Sequence, residues 1–281
     1  MIIDGHKIAE EIQEEVARGV KRLREYYGVT PCLATILVGE DPASKTYLSM
    51  KRRACERTTI HYEEYLFPER VQQEELIKLI QELNNDLKIH GILIQLPLPA
   101  HLDEDFVLER VSPKKDVDGF HPLNLGNLLI GKENMPPCTP SGIVFMLEKI
   151  GLNLKGIHVV VVGRSKIVGR PLAAMFLNRD ATVTICHSKT KDLKRYTNQA
   201  DILVVAVGRA KLITKEMIKE GTVIIDVGMN RVEGKLCGDV DFEDVKEKAS
   251  AITPVPRGVG PVTVAMLMKN TLIAAKSTLR G

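Results

Sequence analysis

A tyrosine and a lysine lie four residues apart on a helix that the sequence predicts near residue 42. Tyr47 and Lys51 follow Asp41 and Pro42, which suit the N-cap and first turn of a helix running to about Arg57. This spacing puts both side chains on one face. An aromatic ring can stack on a flat substrate beside an amine that acts on it, although such pairs also occur on ordinary helix surfaces.

Gln95 closes the apolar run 91–94, which is typical of a short buried parallel strand. Open α/β sheets bind ligands beyond the carboxyl ends of their strands. A polar side chain at this place therefore favours a functional role. The alternative is a glutamine that only caps the following loop.

Two acids, Asp116 and Asp118, lie in segment 112–139, which is rich in Pro, Gly, Asn and Asp and predicts long ordered loops. The pair could bind a metal, another cation or a heterocycle with adjacent N–H donors. No His or Cys spacing accompanies the two acids, so we expect no metal site.

A glycine-rich turn follows the apolar run 157–162. Gly163 and Gly169 have five residues between them, and a predicted helix covers 171–178. Strand, glycine turn and helix together favour a dinucleotide site, because the glycines let backbone approach a pyrophosphate at the helix N-terminus. The spacing is not GxGxxG, so a plain strand–helix turn is the alternative.

The strand after this turn indicates which dinucleotide is bound. NAD sites place an acid about 20 residues after the glycine turn, and this chain has none there. His187, Ser188 and Lys189, with Arg164 and Ser165, offer donors and positive charge for a 2′-phosphate. The sequence therefore favours NADP over NAD, although His187 and Lys189 could simply lie in a solvated loop.

Segment 253–263 reads Thr-Pro-Val-Pro-Arg-Gly-Val-Gly-Pro-Val-Thr and precedes the last predicted helix, 263–279. Its glycines could bring backbone N–H groups to a ligand, or it could be an ordinary rigid loop.

Alternating strands and helices must position these residues. The pattern predicts an α/β fold with two domains: an N-terminal βαβ domain and a C-terminal Rossmann-like NADP-binding domain. Because the last helix is expected to pack on the first domain, the domain bounds are 1–139 plus 263–281 for the first and 140–262 for the second.

The individual elements follow from apolar runs and periodicity. The predicted strands are 33–38, 62–67, 91–95, 157–162, 182–186, 202–206 and 223–227. Two helices are predicted from apolar residues at helical spacing: Ile8, Ile12, Val16, Val20 and Leu23 in one, and Leu76, Ile80, Leu83 and Leu87 in the other.

Composition excludes several classes of protein. The 281 residues are 44% hydrophobic and 27% charged, which suits a soluble globular chain, and a formal net charge of +3 does not favour nucleic acid. Five scattered cysteines without a CxxC pair indicate a reducing compartment. With no signal-peptide pattern and no membrane-length apolar run, we expect a cytoplasmic protein without a membrane partner.

Six blocks of these residues give the chain a resemblance to the bifunctional methylenetetrahydrofolate dehydrogenase/cyclohydrolase family. The blocks occur in the family's order and span nearly the whole chain. Each block alone is modest evidence, whereas the ordered set is highly specific. The blocks are 47–51, 91–99, 115–120, 137–142, 162–171 and 253–263.

The resemblance implies oxidation of 5,10-methylenetetrahydrofolate to 5,10-methenyltetrahydrofolate with NADP, and hydrolysis of that product to 10-formyltetrahydrofolate. In the family, the tyrosine matching Tyr47 stacks on the folate, and the lysine matching Lys51 is the key catalytic group. The glutamine matching Gln95 hydrogen-bonds the lysine, and the aspartate matching Asp118 holds the pterin. Family members are usually homodimers, so a homodimer is expected.

The resemblance also implies that the N-terminal domain is the catalytic, folate-binding domain, with an active cleft between it and the NADP-binding domain. It further assigns the wider site. The catalytic residues expected are Tyr47, Lys51 and Gln95. The folate-binding residues expected are Tyr47, Gln95, Leu96, Pro97, Asp118, Pro256, Gly258, Val259, Gly260 and Pro261. The NADP-binding residues expected are Gly163, Arg164, Ser165, Ile167, His187, Ser188, Gly208, Met229 and Thr263.

Two residues depart from the family pattern. Arg257 replaces a glycine in the loop that the family writes Pro-Gly-Gly-Val-Gly-Pro, and it could clash if that position needs a positive φ, or point to solvent. Lys166 replaces a common asparagine and adds positive charge near the phosphates.

Two other functions compete with the bifunctional one. A monofunctional dehydrogenase would lack cyclohydrolase activity, which the presence of Lys51 and Gln95 disfavours. A non-enzymatic NADP-binding regulator would bind the cofactor without turnover and would be expected to carry a degenerate catalytic set.

Overall fold

The computed structural model describes residues 1–280, which form two compact units. The first-sheet unit contains residues 10–127, 133–138 and the chain from 264 onward. The second-sheet unit contains residues 1–9, 128–132 and 139–263. None of the helices in this described part of the chain combines the length and apolar character needed to cross a membrane.

The chain alternates helices and strands along most of its length. The helices are α1 (Gly5–Tyr27), α2 (Pro42–Thr58), α3 (Gln73–Asn85), α4 (Glu104–Leu108), α5 (Pro122–Leu129), α6 (Cys138–Lys149), α7 (Gly169–Leu177), α8 (Leu193–Thr197), α9 (Phe242–Val245) and α10 (Val259–Ser277). The strands are β1 (Cys32–Val38), β2 (His61–Phe67), β3 (Gly91–Ile94), β4 (His158–Val162), β5 (Thr182–Cys186), β6 (Ile202–Val205), β7 (Val223–Asp226), β8 (Asn230–Val232), β9 (Lys235–Cys237) and β10 (Ala251–Ile252).

The first sheet is parallel, with strand order β2-β1-β3. All residues of β1 and β3 are buried, as expected for parallel strands covered on both faces. Leu76, Ile80 and Leu83 of α3 belong to the core cluster on one face of this sheet. Ile36 pairs with Ile94, so the carboxyl ends of β1 and β3 lie side by side.

Helix α2 follows β1 and begins with an N-cap residue and a proline. The Asp41 carboxylate accepts a 2.7 Å hydrogen bond from the Ser44 backbone N–H, and Pro42 occupies the first turn. Proline costs nothing there because that N–H has no helical partner. The predicted cap and start are therefore confirmed, and α2 holds Tyr47 and Lys51 on a defined face.

The second sheet has five parallel strands in the order β10-β7-β6-β4-β5. The chain passes from β4 outward to β5 and then back across β4 to β6. Such a reversal of strand order creates a crevice at the carboxyl end of β4, where doubly wound sheets bind ligands. The predicted Rossmann-like arrangement is confirmed.

The N-terminus belongs to the second-sheet unit. The Ile3 N–H donates to the Ile252 carbonyl at 2.8 Å, and the Ile252 N–H donates to the Met1 carbonyl at 3.0 Å. These bonds extend the edge of the second sheet beyond β10.

Most predicted elements are confirmed, with three differences. Leu87 follows the apolar periodicity of α3 but is 89% exposed, because the helix ends at Asn85 and Asp86 is extended. Segment 112–139 was expected to be loops, yet it contains α5. Helix α10 begins at Val259 instead of Thr263, because Pro261 fits within a first turn.

The cap of α2 gives a direct test of this local structure. Replacing Asp41 with Ala removes the bond to the Ser44 N–H, and we expect a loss of about 1 kcal/mol in the free energy of unfolding. Glu40→Ala is the matched control, since Glu40 makes an exposed ion pair with Lys45 of small value. Urea denaturation measures both, and equal losses would contradict the cap.

Candidate active site

Lys51 and Gln95 meet in the first-sheet unit. The Lys51 Nζ donates to Gln95 Oε1 at 2.8 Å. Gln95 is itself fixed, because its Nε2 donates to the Leu96 carbonyl at 2.7 Å and its backbone N–H donates to the Ile36 carbonyl at 2.9 Å. The amide oxygen therefore has one orientation, and it orients the amine without adding a charge.

Asp118 faces the same lysine, and burial acts on both groups. Desolvation lowers the pKa of Lys51, while the Asp118 carboxylate opposes this shift. Desolvation raises the pKa of Asp118, while Lys51 opposes that shift. Burial thus favours the neutral form of each group, which suits an amine that can accept a proton.

The neighbouring acid, Asp116, has a structural role. Its carboxylate accepts hydrogen bonds from the backbone N–H groups of Gly119 (3.1 Å), Phe120 (3.2 Å) and His121 (2.8 Å), and from Asn124 Nδ2 (2.8 Å). These bonds fold the loop after Asp118. The two acids therefore have different roles. Each Asp116 oxygen already accepts two hydrogen bonds, so Asp116 cannot join Asp118 in binding a ligand.

Cys138 completes this cluster and was not singled out from the sequence as a site residue. The thiol donates to the Val117 carbonyl at 3.2 Å, and burial followed by the Asp118 carboxylate raises its pKa well above the ordinary value. It is therefore a neutral thiol that packs against Asp118. Its place at the start of a buried helix was the available sequence signal.

Tyr47 lies one turn before Lys51 on α2 and is half-buried. Burial raises the pKa of its phenol, so the ring is neutral at physiological pH. Leu96 and Pro97 follow Gln95 directly, with Leu96 half-buried and Pro97 exposed. The structure thus brings together the predicted residues Tyr47, Lys51, Gln95 and Asp118 in one unit.

The predicted loop 256–261 lies in the second-sheet unit. Gly5 and Gly258 approach so closely that a Cβ on Gly5 would lie 1.8 Å from the Gly258 carbonyl oxygen. Arg257 adopts φ = 79°, a conformation that favours glycine. Its exposed guanidinium lies 3.3 Å from the Asp4 carboxylate. Arg257 therefore points to solvent and keeps a strained backbone conformation.

The glycines of the nucleotide turn are required by close packing. A Cβ on Gly163 would lie 2.3 Å from the Ala206 carbonyl oxygen, and one on Gly169 would lie 2.1 Å from the Gly163 carbonyl oxygen. Ser165 Oγ accepts from the Val168 N–H at 3.1 Å and so shapes the turn. Strand β4, the turn and α7 therefore pack closely together, as a dinucleotide site needs.

A cavity of about 430 Å³ opens at the carboxyl ends of β4, β5 and β6. This volume suits part of a nucleotide, and the lining combines cations, hydroxyl groups and apolar side chains without a carboxylate. Such a donor set fits a nucleotide with a 2′-phosphate. The lining residues are Val162, Gly163, Arg164, His187, Ser188, Thr190, Leu193, Ala206, Val207, Arg209 and Leu212.

Asp239 organises one wall of this cavity. Its buried carboxylate accepts hydrogen bonds from the backbone N–H groups of Val207 (2.7 Å), Gly208 (3.0 Å) and Arg209 (2.8 Å), and from Asn230 Nδ2 (2.9 Å). Sequence reasoning missed Asp239 and Arg209. Asp239 acts on backbone groups about thirty residues away, so no local pattern could identify it.

The remaining predicted cofactor residues are not among those that line the cavity. Ile167 is half-buried in the turn before α7, and Met229 is 47% exposed after β7. Thr263 lies in the first turns of α10, with its Oγ1 3.0 Å from Thr139 Oγ1.

Two family models together match nearly the whole chain. The catalytic domain of tetrahydrofolate dehydrogenase/cyclohydrolase matches residues 3–118, and the NAD(P)-binding domain of the same family matches residues 137–279. The chain is also 55% identical over 278 residues to a bifunctional protein FolD of Methanosarcina mazei, covering 99% of this chain and 97% of that protein.

Solved structures agree with this sequence similarity. A FolD methylenetetrahydrofolate dehydrogenase/cyclohydrolase from Campylobacter jejuni is 49% identical with a TM-score of 0.97, and the match covers 99% of each chain. A FolD enzyme from Trypanosoma brucei, complexed with NADP cofactor and an inhibitor, is 40% identical with a TM-score of 0.96, covering 100% of this chain and 99% of that one. The protein therefore belongs to the tetrahydrofolate dehydrogenase/cyclohydrolase family.

Proposed function

We propose that the protein oxidises 5,10-methylenetetrahydrofolate to 5,10-methenyltetrahydrofolate with NADP and hydrolyses the product to 10-formyltetrahydrofolate, in one-carbon metabolism. The observation that carries this proposal is the 2.8 Å bond between Lys51 and the neutral amide of Gln95, beside Asp118. A degenerate NADP-binding regulator would have no need of this arrangement, and a monofunctional dehydrogenase would have no need of its lysine.

The folate-binding catalytic domain is assigned to residues 1–139 plus 263–281 and the NADP-binding domain to residues 140–262. Tyr47 stacks on the pterin, and Asp118 accepts hydrogen bonds from its ring N–H and amino groups. Desolvation of Asp118 strengthens such bonds, since water does not compete for the carboxylate. The other folate contacts are assigned to Gln95, Leu96, Pro97, Pro256, Gly258, Val259, Gly260 and Pro261.

Lys51 moves the proton in the hydrolytic step. Water adds to the cationic carbon of the methenyl group and gives one proton to the neutral amine of Lys51. The bond from that carbon to N5 then breaks, the remaining hydroxyl proton passes to N5, and the formyl group stays on N10. The lowered pKa of Lys51 increases the fraction of neutral amine at a given pH. Gln95 holds Nζ in place, and its lack of charge keeps the lysine from being locked as an ammonium ion.

NADP, when bound, supplies the nicotinamide ring that accepts a hydride from the methylene carbon. Arg164, His187 and Ser188 are assigned to the 2′-phosphate because they are polar or charged donors that line the cavity, Arg164 just after β4 and the other two directly after β5. Gly163 and the N-terminus of α7 receive the pyrophosphate. The remaining cofactor contacts are assigned to Ser165, Ile167, Gly208, Met229 and Thr263.

The protein is further assigned to the cytoplasm as a homodimer, without a nucleic-acid or membrane partner. The edge strand β5 supports self-association, since Ile185 is exposed on it and Leu177 of the preceding helix is exposed nearby in sequence. Exposed apolar groups beside a strand edge are typical of an interface.

Replacing Lys51 with Met tests the bifunctional assignment. We expect cyclohydrolase kcat to fall by about 10² or more, because the proton acceptor is lost, while NADPH formation stays within about tenfold of wild type. The measurements are absorbance of NADPH and decay of added methenyltetrahydrofolate. Arg53→Met, an exposed change on the same helix, is the control; unchanged cyclohydrolase activity in Lys51→Met would refute the role.

Gln95→Glu tests the value of a neutral partner. A carboxylate at this distance favours the ammonium form and raises the pKa of Lys51, so less neutral amine is present at a given pH. We expect the rising limb of the cyclohydrolase pH profile to move up by about one unit or more. Gln95→Leu removes the hydrogen bond without adding charge, and a limb that moves equally in both variants would contradict the explanation.

Asp239→Asn tests the wall of the cofactor cavity. In the variant, an NH2 group replaces one carboxylate oxygen, so either the Val207 N–H or the Arg209 N–H loses its acceptor. We expect KM for NADP to rise by about tenfold or more. Cyclohydrolase activity, which needs no NADP, should be unchanged. Asp241→Asn, in a partly exposed ion pair with Lys211, is the control, and parallel loss of both activities would indicate a merely structural role.

A further inference from the structure

Three side chains with metal-binding chemistry meet at the amino end of the first sheet. Cys32 begins β1 and pairs with His61, which begins β2. Glu63 follows two residues later, so it projects from the same face of the sheet as His61. The cluster is at the opposite end of β1 from the Gln95 edge, roughly 20 Å away for a seven-residue strand.

The distances within the cluster are close to those of a tetrahedral metal site. The Cys32 Sγ is 3.9 Å from Glu63 Oε1, the His61 Nε2 is 3.5 Å from the same oxygen, and all three atoms lie within 4.8 Å of one another. Bonds of 2.0–2.3 Å at tetrahedral angles place such ligands about 3.4–3.6 Å apart. Only a small movement is needed, and the exposed His61 ring is free to make it.

Neighbouring groups already orient two of these ligands. The Tyr65 hydroxyl donates to Glu63 Oε2 at 2.6 Å, which leaves Oε1 directed at the other two atoms. The Cys32 backbone N–H donates to His90 Nδ1 at 3.1 Å and fixes the start of β1. Outer hydrogen bonds of this kind are typical of metal sites because they hold the ligands in place.

The local charge also favours a cation. The carboxylates of Glu63 and Asp86 both act on the Cys32 thiol. The same carboxylates would stabilise a positive ion in this place. A thiolate, a carboxylate and a neutral imidazole carry two negative charges, which a divalent ion balances.

We propose that Cys32, His61 and Glu63 bind a zinc-class divalent cation, with water as the fourth ligand. Sulfur and imidazole ligands select zinc over magnesium or calcium. The Cys32 thiol proton passes to solvent as the metal–sulfur bond forms. The ion ties the edge strand β2 to β1 and so stabilises the first-sheet unit independently of folate and NADP. The sequence did not predict this site, because its ligands come from two separate strands.

Zinc titration of the metal-stripped full chain by calorimetry tests the proposal. We expect one ion per chain with a dissociation constant below about 10 μM, and a rise in Tm of about 5 °C at a hundredfold excess over that constant. Cobalt in place of zinc should give the thiolate-to-cobalt absorption band, which reports sulfur ligation. Absence of binding at 100 μM metal, taken as about ten times the expected constant, would overturn the proposal.

Variants identify the ligands. Cys32→Ser and Glu63→Gln should each abolish stoichiometric binding, and Tyr65→Phe should weaken it by about tenfold. Because Glu63 is half-exposed, we expect Glu63→Gln to keep the fold. This variant therefore tests metal ligation even if Cys32→Ser is unstable. Cys237→Ser is the matched control, since Cys237 is the more exposed thiol. Binding that survives both ligand variants, or that is lost in Cys237→Ser, would refute the site.

Discussion

The hydrogen bond from a desolvated lysine to a neutral amide is the constraint on which the first-sheet unit depends. Gln95 holds the Lys51 Nζ at 2.8 Å, and its neutral amide adds no charge that would keep the amine protonated. Gln95 can do so because the sheet fixes its backbone through the Ile36 carbonyl. The parallel pairing of β1 with β3 therefore sets the position of this amide, since a slip of one residue would turn it to the other face.

Asp118 limits what that lysine can do. A carboxylate close to an amine normally keeps the amine charged, yet burial acts on both groups and opposes their ionisation. The result is a pair in which a small change in the surroundings of the carboxylate alters the proton affinity of the amine. Under the proposed function, a pterin held by Asp118 would be such a change and would couple substrate binding to proton transfer.

Buried aspartates organise loops in both units. Asp116 collects the N–H groups that follow Asp118, and Asp239 collects those that follow β6. Asp226 binds the backbone of Asp239 in turn, and burial raises its pKa to about 6. Loops at strand ends have lost their ladder partners, so a carboxylate with several acceptor sites is an economical way to satisfy them.

The sequence alone determined most of the elements and the family, and it predicted the principal site residues, because these depend on local signals. Apolar periodicity and the Asp41–Pro42 cap defined helices and strands, and six ordered blocks defined the family. Tertiary structure decided the rest. Leu87 continues a helical pattern but lies outside α3, Asp239 acts across thirty residues, and Cys32 meets His61 only through strand pairing. Contacts between distant segments depend on packing and register, which no local pattern encodes.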